Sequence, residues 1–561
     1  MQTAAQVRDR IEQDLAHILK GLGIDIGFYS VPLEYPGELA HGDYATGIAL
    51  KYAKQLGKNP RELADMVVAA LGMIEGVAKV DIAGPGFINF ILTPEAISMS
   101  LEEARTDDSW GSNETLAGQT IMVEYSQPNP FKEFHVGHLL GTVIGESLSR
   151  LIESSGARMI RVNYQGDLGV HVACAIWGIR KLGIDPSTAD EFGTAYAAGA
   201  SAYKNDEAAK KEIDDINMKL YQRSDPGLNA MYDAGRAKSL AAFGRIYDVL
   251  GTKFDHYFFE NETGPIGKEI VTVHPEIFPE SDGARIFKGE KYGLHTRVFI
   301  NAKGLPTYEA KELGLEKLKK DLYPETTMLI IETANEISEY FKVIKAALGL
   351  IYPEIAAQLV HVSHGLMKLP TGKMSSRAGN VITGESLINE LTEAAKVRAA
   401  ESRADDHDEL AQQIAVGAIK YQILKQTAGK DIIFDRERAL SLEGDSGPYL
   451  QYAYARTSAI IERASESGVK AKLDPSATPS DLTRLLVRFP EIVARAALEY
   501  EPHYLATYLI TIASAYNSWY AQVQILDQSA EEAHKVAIVE AVSKTLKTGL
   551  ILLGIPVPER M

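Results

Sequence analysis

Residues 120–150, TIMVEYSQPNPFKEFHVGHLLGTVIGESLSR, decide the fold. Ile121, Val123 and Tyr125 alternate in a run that predicts a strand. A polar, proline-bearing turn follows, and Leu139, Leu140, Val143, Ile144, Leu148 and Leu151 then recur at helical spacing. His135-Val136-Gly137-His138 lies at the junction of turn and helix. A strand feeding a helix N-terminus presents free N–H groups and the positive end of a helix dipole, a seat for phosphate. Two imidazoles add donors to such a seat, and Gly137 lets a flat base approach the backbone. The competing reading makes both histidines caps or packing residues.

About 235 residues downstream stands Lys373-Met374-Ser375-Ser376-Arg377, inside GKMSSRAGN. Gly372 and Gly379 predict a mobile loop, from which Lys373 can deliver positive charge to a leaving pyrophosphate. A solvated surface loop is the alternative. In this order and spacing the two stretches resemble the signature of class I aminoacyl-tRNA synthetases. VEYSQPNPFKEFHVGH, GLPTYEAKELGL, ALSLEGDSGPYLQYAYAR and the terminal LGIPVPERM narrow the resemblance to the arginyl-tRNA synthetase family, over essentially the whole chain.

Composition is compatible with that resemblance. The chain has 561 residues, 45% hydrophobic and 24% charged, as in ordinary globular proteins, and length for three or four domains. One cysteine, Cys174, excludes an intramolecular disulfide framework and a Cys-rich zinc ribbon. MQTAAQVRDRIEQDL reads as an amphipathic helix with acidic residues, not a leader, and no apolar run is long enough to span a membrane. A cytoplasmic location is expected. The net charge of −17 argues at first against a nucleic-acid partner. Residues 411–561, however, hold 16 Lys+Arg and 17 Asp+Glu, so nearly all the excess lies upstream.

The expected architecture is α/β, in three domains. Residues 1–110 predict a small α+β unit, and residues 106–119 a polar linker. Residues 119–405 predict a Rossmann-like, doubly wound parallel-sheet catalytic domain, because RMIRVNYQ supplies a second strand after the HVGH helix. Residues 179–251 are charged and helical in pattern, a helical insertion. Strands resume with YGLHTRVFI, TTMLIIET and AAQLVHVSHGLM. From residue 406 to 561 the pattern predicts an α-helical bundle.

The resemblance implies the rest. The expected activity is arginine–tRNA ligase: Mg2+-ATP activates L-arginine to arginyl-adenylate, and the terminal ribose of tRNA(Arg) takes the arginyl group. His135, Gly137, His138, Lys373, Met374 and Ser375 would contact ATP. The usual KMSKS-like loop carries a second lysine where this chain has Ser376; in the family a lysine three residues before the first histidine compensates, here Lys132. Glu124, Asn129, His138, Tyr308 and Glu312 would bind arginine. Carboxylates suit a planar, five-donor guanidinium, and Tyr308 and Glu312 share a helix face. The N-terminal unit resembles the family's additional tRNA-binding domain, with Phe87 and Asn89 at contact positions. The bundle resembles its anticodon-binding domain, with Tyr449, Tyr452, Arg456, Tyr516, Tyr520 and Met561 at contact positions. An aromatic stripe at helical spacing is otherwise usually core. No membrane, no bound zinc and a monomer are the family expectation.

Three departures touch the pocket. Glu312 stands where the family has Asp; Leu168 in GDLGVH stands where it has Trp, with His171 where it has Gln; and TANEISEYF lacks an obvious counterpart to a substrate-contacting glutamine. These leave two alternatives: a silent tRNA-binding relative, or a class I synthetase for another amino acid. Intact HVGH and Lys373 oppose the first, and Glu124 with Tyr308 and Glu312 disfavours an apolar substrate.

Overall fold

The computed structural model describes residues 2–24, 31–370, 372–373 and 382–561. Its centre is a five-stranded sheet in the order Leu359–His364, Met328–Ala334, Thr120–Glu124, Arg158–Gln165, His256–Phe259. Every pairing is parallel. The chain enters at the middle strand, runs to one edge, and returns to build the other side. Strand order therefore reverses between Thr120–Glu124 and Met328–Ala334, and a crevice opens beyond their C-terminal ends.

Side chains alternate across the sheet and divide the core in two. Ile121, Val123 and Tyr125 pack with Leu148 and Ile152 of the helix Val136–Ser154. Met122 and Ile331 pack on the other face with Ala310, Leu313 and Leu315 of the helix Tyr308–Leu322. The first helix approaches closely because residue 145 is glycine. A Cβ there would fall 2.2 Å from the Tyr125 ring.

Four helices, Val170–Leu182, Ala189–Asn205, Glu207–Gln222 and Pro226–Leu250, separate the second and third sheet strands. Arg297–Ile300 is a strand, but it joins Ala284–Phe287 and Glu280–Ser281 in a separate antiparallel sheet. From His407 to Leu552 the chain is almost entirely helical, which completes the α/β-plus-bundle class that the pattern predicts.

The N-terminal unit pairs Tyr44–Thr46, Phe87–Leu92 and Val77–Ala83 antiparallel, backed by the helices Ala4–Gly21, Pro60–Leu71 and Pro94–Thr106. It does not hang on a loose linker. Trp110, in the polar stretch expected to be one, is 4% exposed, donates to Thr545 Oγ1 at 3.0 Å and stacks on Phe489. Glu491 of the C-terminal bundle accepts from Tyr35 and Tyr44 at 2.6 and 2.5 Å and pairs with Arg8 at 3.1 Å. Arg484 pairs with Asp43 at 2.7 Å. The two ends of the chain thus share one packed core. Composition hid this, since the docking partners lie more than 370 residues apart.

Candidate active site

The turn between the strand Thr120–Glu124 and the helix Val136–Ser154 is strained, with Ser126, Gln127 and Phe131 all at positive φ. It delivers His135 to the helix N-cap. There His135 Nδ1 accepts from the backbone N–H of Gly137 at 3.1 Å and of His138 at 3.4 Å, while His138 Nδ1 accepts from the His135 N–H at 3.2 Å. The rings stack 3.5 Å apart. With both Nδ1 atoms accepting, each ring carries its proton on Nε2, a donor aimed away from the backbone. Burial lowers the pKa of His135, and burial followed by the charges of His135 and Lys132 holds His138 well below the imidazole value. Capping through Nδ1 leaves each Nε2–H pointing away from the cap, so capping and donation are not alternatives.

Gly384 N–H donates to Phe134 O at 2.7 Å, and Thr383 bridges His135. The chain leaving the KMSSR stretch is thereby tied to the turn entering HVGH. Met374 and Ser375 lie outside the described residues, and of Lys373 only the backbone is described, in the short strand Gly372–Lys373. A cleft of about 580 Å3 lies alongside, lined by Ser126, His135, Gly137, His138, Gly141, Glu332, His364 and Met367 among others. Lys132 holds its ammonium over the Tyr196 ring of the helical insertion, 4.4 Å from the centroid.

On the opposite face of the sheet, carboxylates converge. Glu124, Glu312 and Glu316 are all at most 6% exposed. Gln127 Nε2 donates to Glu124 Oε1 at 2.8 Å, and Tyr340 OH to Glu312 Oε2 at 3.4 Å. Lys319 Nζ lies 2.5 Å from Glu124 Oε2 and 2.5 Å from Glu316 Oε1. Burial, then Glu124 and Glu316, pushes the Glu312 carboxyl well above its ordinary range. The sequence reading found Glu124 and Glu312 but missed Glu316 and Lys319. Their signal was available: they lie on the helix turns that carry buried Leu313 and Leu315, where charge is unusual. Tyr308, expected in the same pocket, is 64% exposed at the helix start. Asn129 Oδ1 accepts from Gly166 N–H at 3.0 Å, beside the sheet's end.

The departures at Leu168 and His171 are structurally absorbed. Leu168 is 8% exposed and packs with Phe131 and Val172. His171 shares a hydrogen bond with Gly166 O at 2.7 Å, and burial lowers its pKa to about 4, so it is neutral.

A second cleft, about 1120 Å3, lies in the bundle and contains Tyr452, Arg456, Tyr520 and Met561. Arg456 lies over the Tyr452 and Tyr520 rings, at 4.9 and 5.2 Å, and donates to Asn517 at 2.7 Å. The cleft adds Arg105, Arg403, Arg463, Lys544, Lys547 and Arg560, seven basic side chains with Arg456 against three acidic ones. So an acidic chain presents a local basic track. Tyr449 stands aside, its hydroxyl accepting from Asn517 at 2.8 Å. Tyr516 is fully buried, hence core in this structure. In the N-terminal unit Phe87 is 44% exposed at a strand start, but Asn89, expected as a base contact, is 5% exposed within the sheet.

With this geometry in view, comparisons with known proteins are consistent along the chain. Residues 101–436 match the profile of tRNA synthetases class I (R), catalytic domain. Residues 450–561 match the DALR anticodon binding domain, and 6–92 the arginyl tRNA synthetase N terminal domain. The arginine–tRNA ligase of Streptococcus pneumoniae serotype 19F is 31% identical over 99% of this chain and 100% of its own length. That of Streptococcus agalactiae serotype III is 30% identical over 94% and 95%. The arginyl-tRNA synthetase structure from Thermus thermophilus superposes with a TM-score of 0.84 at 25% identity, covering 98% of this chain and 99% of that one. The Plasmodium falciparum structure, at 21% identity, shares the fold with a TM-score of 0.77 over 98% of each chain.

Proposed function

This chain belongs to the arginyl-tRNA synthetase family, and from that membership we infer how its own residues divide the work of an arginine–tRNA ligase. The enzyme activates L-arginine with ATP and charges tRNA(Arg). In the first step an arginine carboxylate oxygen bonds to the α-phosphorus of ATP, and the bond to the bridging oxygen breaks as pyrophosphate leaves. In the second a ribose hydroxyl oxygen bonds to the arginyl carbonyl carbon, losing its proton, and AMP departs. The substrates supply the nucleophiles, so the protein's task is positioning and charge stabilisation.

The reciprocal cap of His135 and His138 carries the assignment. Two neutral rings present Nε2–H donors at a helix N-terminus, where triphosphate charge accumulates. Lys373 supplies positive charge to the leaving pyrophosphate, with Lys132 beside the histidines as the second cation. Magnesium arrives with ATP, on its phosphates. Glu124 and Glu312 accept from the guanidinium, Asn129 and His138 hold the amino acid's backbone groups, and Tyr308 covers the pocket mouth. Residues 1–110 and 406–561 grip tRNA, through Phe87 at one end and the basic cleft of Tyr452, Arg456, Tyr520 and Met561 at the other. The enzyme works as a cytoplasmic monomer.

ATP–pyrophosphate exchange tests this reading. His138→Ala and Lys373→Ala should each slow exchange about a hundredfold or more while leaving the fold intact. Exchange near the wild-type rate in both would remove the assignment.

A further inference from the structure

Glu332 occupies an unusual position at the floor of the nucleotide cleft. It lies near the C-terminal end of the strand Met328–Ala334 and points to the face of the sheet opposite Glu124, because its neighbour Ile331 is the register partner of Glu124. It is 1% exposed, yet it lines the cleft with His138 and Gly141. Neither carboxylate oxygen has a hydrogen-bond partner among the described residues. His364 Nε2 stands 3.5 Å from Oε1, an ion-pair distance only when that ring is protonated, and its Nδ1 is engaged with Gly365 O at 2.6 Å. Residue 141 leaves room for the carboxylate by being glycine: a Cβ there would fall 2.9 Å from Glu332 Oε2.

Buried polar groups in folded proteins find partners, so two vacant acceptors at a cleft wall call for donors from a ligand. We propose that Glu332 is a nucleoside-recognition residue, whose carboxylate accepts hydrogen bonds from the adenosine portion of ATP. The proposal rests on the assignment of this cleft to ATP. Phosphate is excluded as the partner by like charge and by position. Gly141 lies five residues into the helix, roughly 7–8 Å along its axis from the N-terminal phosphate seat, a displacement that reaches the nucleoside. A protein-held metal ion lacks ligands, since no group of three His, Cys, Asp or Glu able to hold one occurs among the described residues. Adenosine offers two kinds of donor at this depth, the ribose hydroxyls and the adenine 6-amine, and the chemistry required of Glu332 is the same for both.

Pyrophosphate exchange with ATP, 2′-deoxy-ATP, 3′-deoxy-ATP and purine riboside triphosphate tests it, using wild type, Glu332→Gln and Glu332→Val. Glu332→Val should raise the ATP KM about tenfold or more while the arginine KM stays within twofold. It should also discriminate less against the one analogue that lacks the Glu332 partner: a deoxy analogue for ribose, purine riboside triphosphate for the amine. Should the valine variant fail to fold, Glu332→Gln carries the test, with a threefold or greater fall in that same discrimination. Unchanged discrimination against all three analogues would overturn the proposal, and a loss of thermal stability alone would assign Glu332 to a pair with His364. His138→Ala is the control. If it too exchanges pyrophosphate at the wild-type rate, the ATP seat itself is misassigned; if it is impaired while both Glu332 variants are not, only the role of Glu332 falls.

Discussion

Lys319 reaches Glu124, a residue nearly two hundred positions earlier, and holds its ammonium 2.5 Å from that carboxylate on the floor of the proposed arginine pocket. The same ammonium serves Glu316 at 2.5 Å. One cation thus answers two carboxylates and leaves Glu312, whose Oε1 has no partner among the described residues. A guanidinium is the cation that the remaining charge calls for.

Glu312, as the proposed guanidinium acceptor, should make arginine binding depend on pH. Burial and its acidic neighbours raise its pKa well above that of an exposed carboxyl, so the empty pocket favours the protonated form. The guanidinium requires the ionised form. Raising pH through that elevated value should therefore lower the arginine KM, and binding should release a proton. Calorimetry in buffers of different ionisation enthalpy would measure the release; Glu312→Gln should abolish it and raise the arginine KM about thirtyfold or more. Stability without arginine runs the other way. It is full below the unfolded carboxyl's pKa and declines as pH rises through the folded value, and Glu312→Gln should flatten that decline.

Removing Lys319 strands two buried carboxylates. Lys319→Met should destabilise the protein by about 3–5 kcal/mol, read by urea unfolding at pH 7. Adding Glu316→Gln to it should recover part of that loss, because the two sites are coupled. Equal and additive losses would mean the cluster is held by packing rather than charge.

Gly384 tests the tie between the two signature stretches. A side chain there would meet the Phe134 ring at 2.8 Å, beside the backbone bond that joins Gly384 to Phe134. Gly384→Val should lower kcat for pyrophosphate exchange about tenfold or more through misplacement, while the arginine KM stays near wild type. A changed arginine KM with normal kcat would argue that the tie serves only the pocket.

In the bundle, Arg456→Ala and Lys547→Ala should raise the tRNA KM without moving the arginine or ATP KM. Loss of base stacking against the rings that Arg456 organises is worth roughly 1–3 kcal/mol. Lys547→Ala should lessen the salt dependence of tRNA binding by roughly one phosphate contact. Tyr516→Phe should leave the tRNA KM unchanged, since that ring is fully buried.

Much of this was legible because it is local. A strand, a turn and a helix announce themselves within thirty residues, and so did HVGH at its junction. What escaped was charge turned inward. Within EKLKKDL, Lys319 reads as one more solvated lysine, and only the fold brings Glu124 to it. Glu332 stands within TTMLIIET, and nothing local in that strand tells that its carboxylate is buried against the cleft. The stretch around Trp110 read as a linker because its polar residues outnumber the one ring that docks it. Tyr516 and Tyr520 share a helical stripe, but one faces the core and the other the cleft, a distinction that spacing alone does not make.

The knot of Tyr35, Tyr44 and Arg8 on Glu491 also sets a schedule. A ribosome adds about 5–20 residues per second, so roughly 20–90 seconds separate the emergence of Tyr44 from that of Glu491. Throughout that interval Tyr35 and Tyr44 lack the carboxylate to which they donate, and Arg8 has only Glu12 of its two acidic partners. The last third of the chain therefore finishes the first, and a nascent protein stopped short of residue 491 carries its incompleteness at the other end.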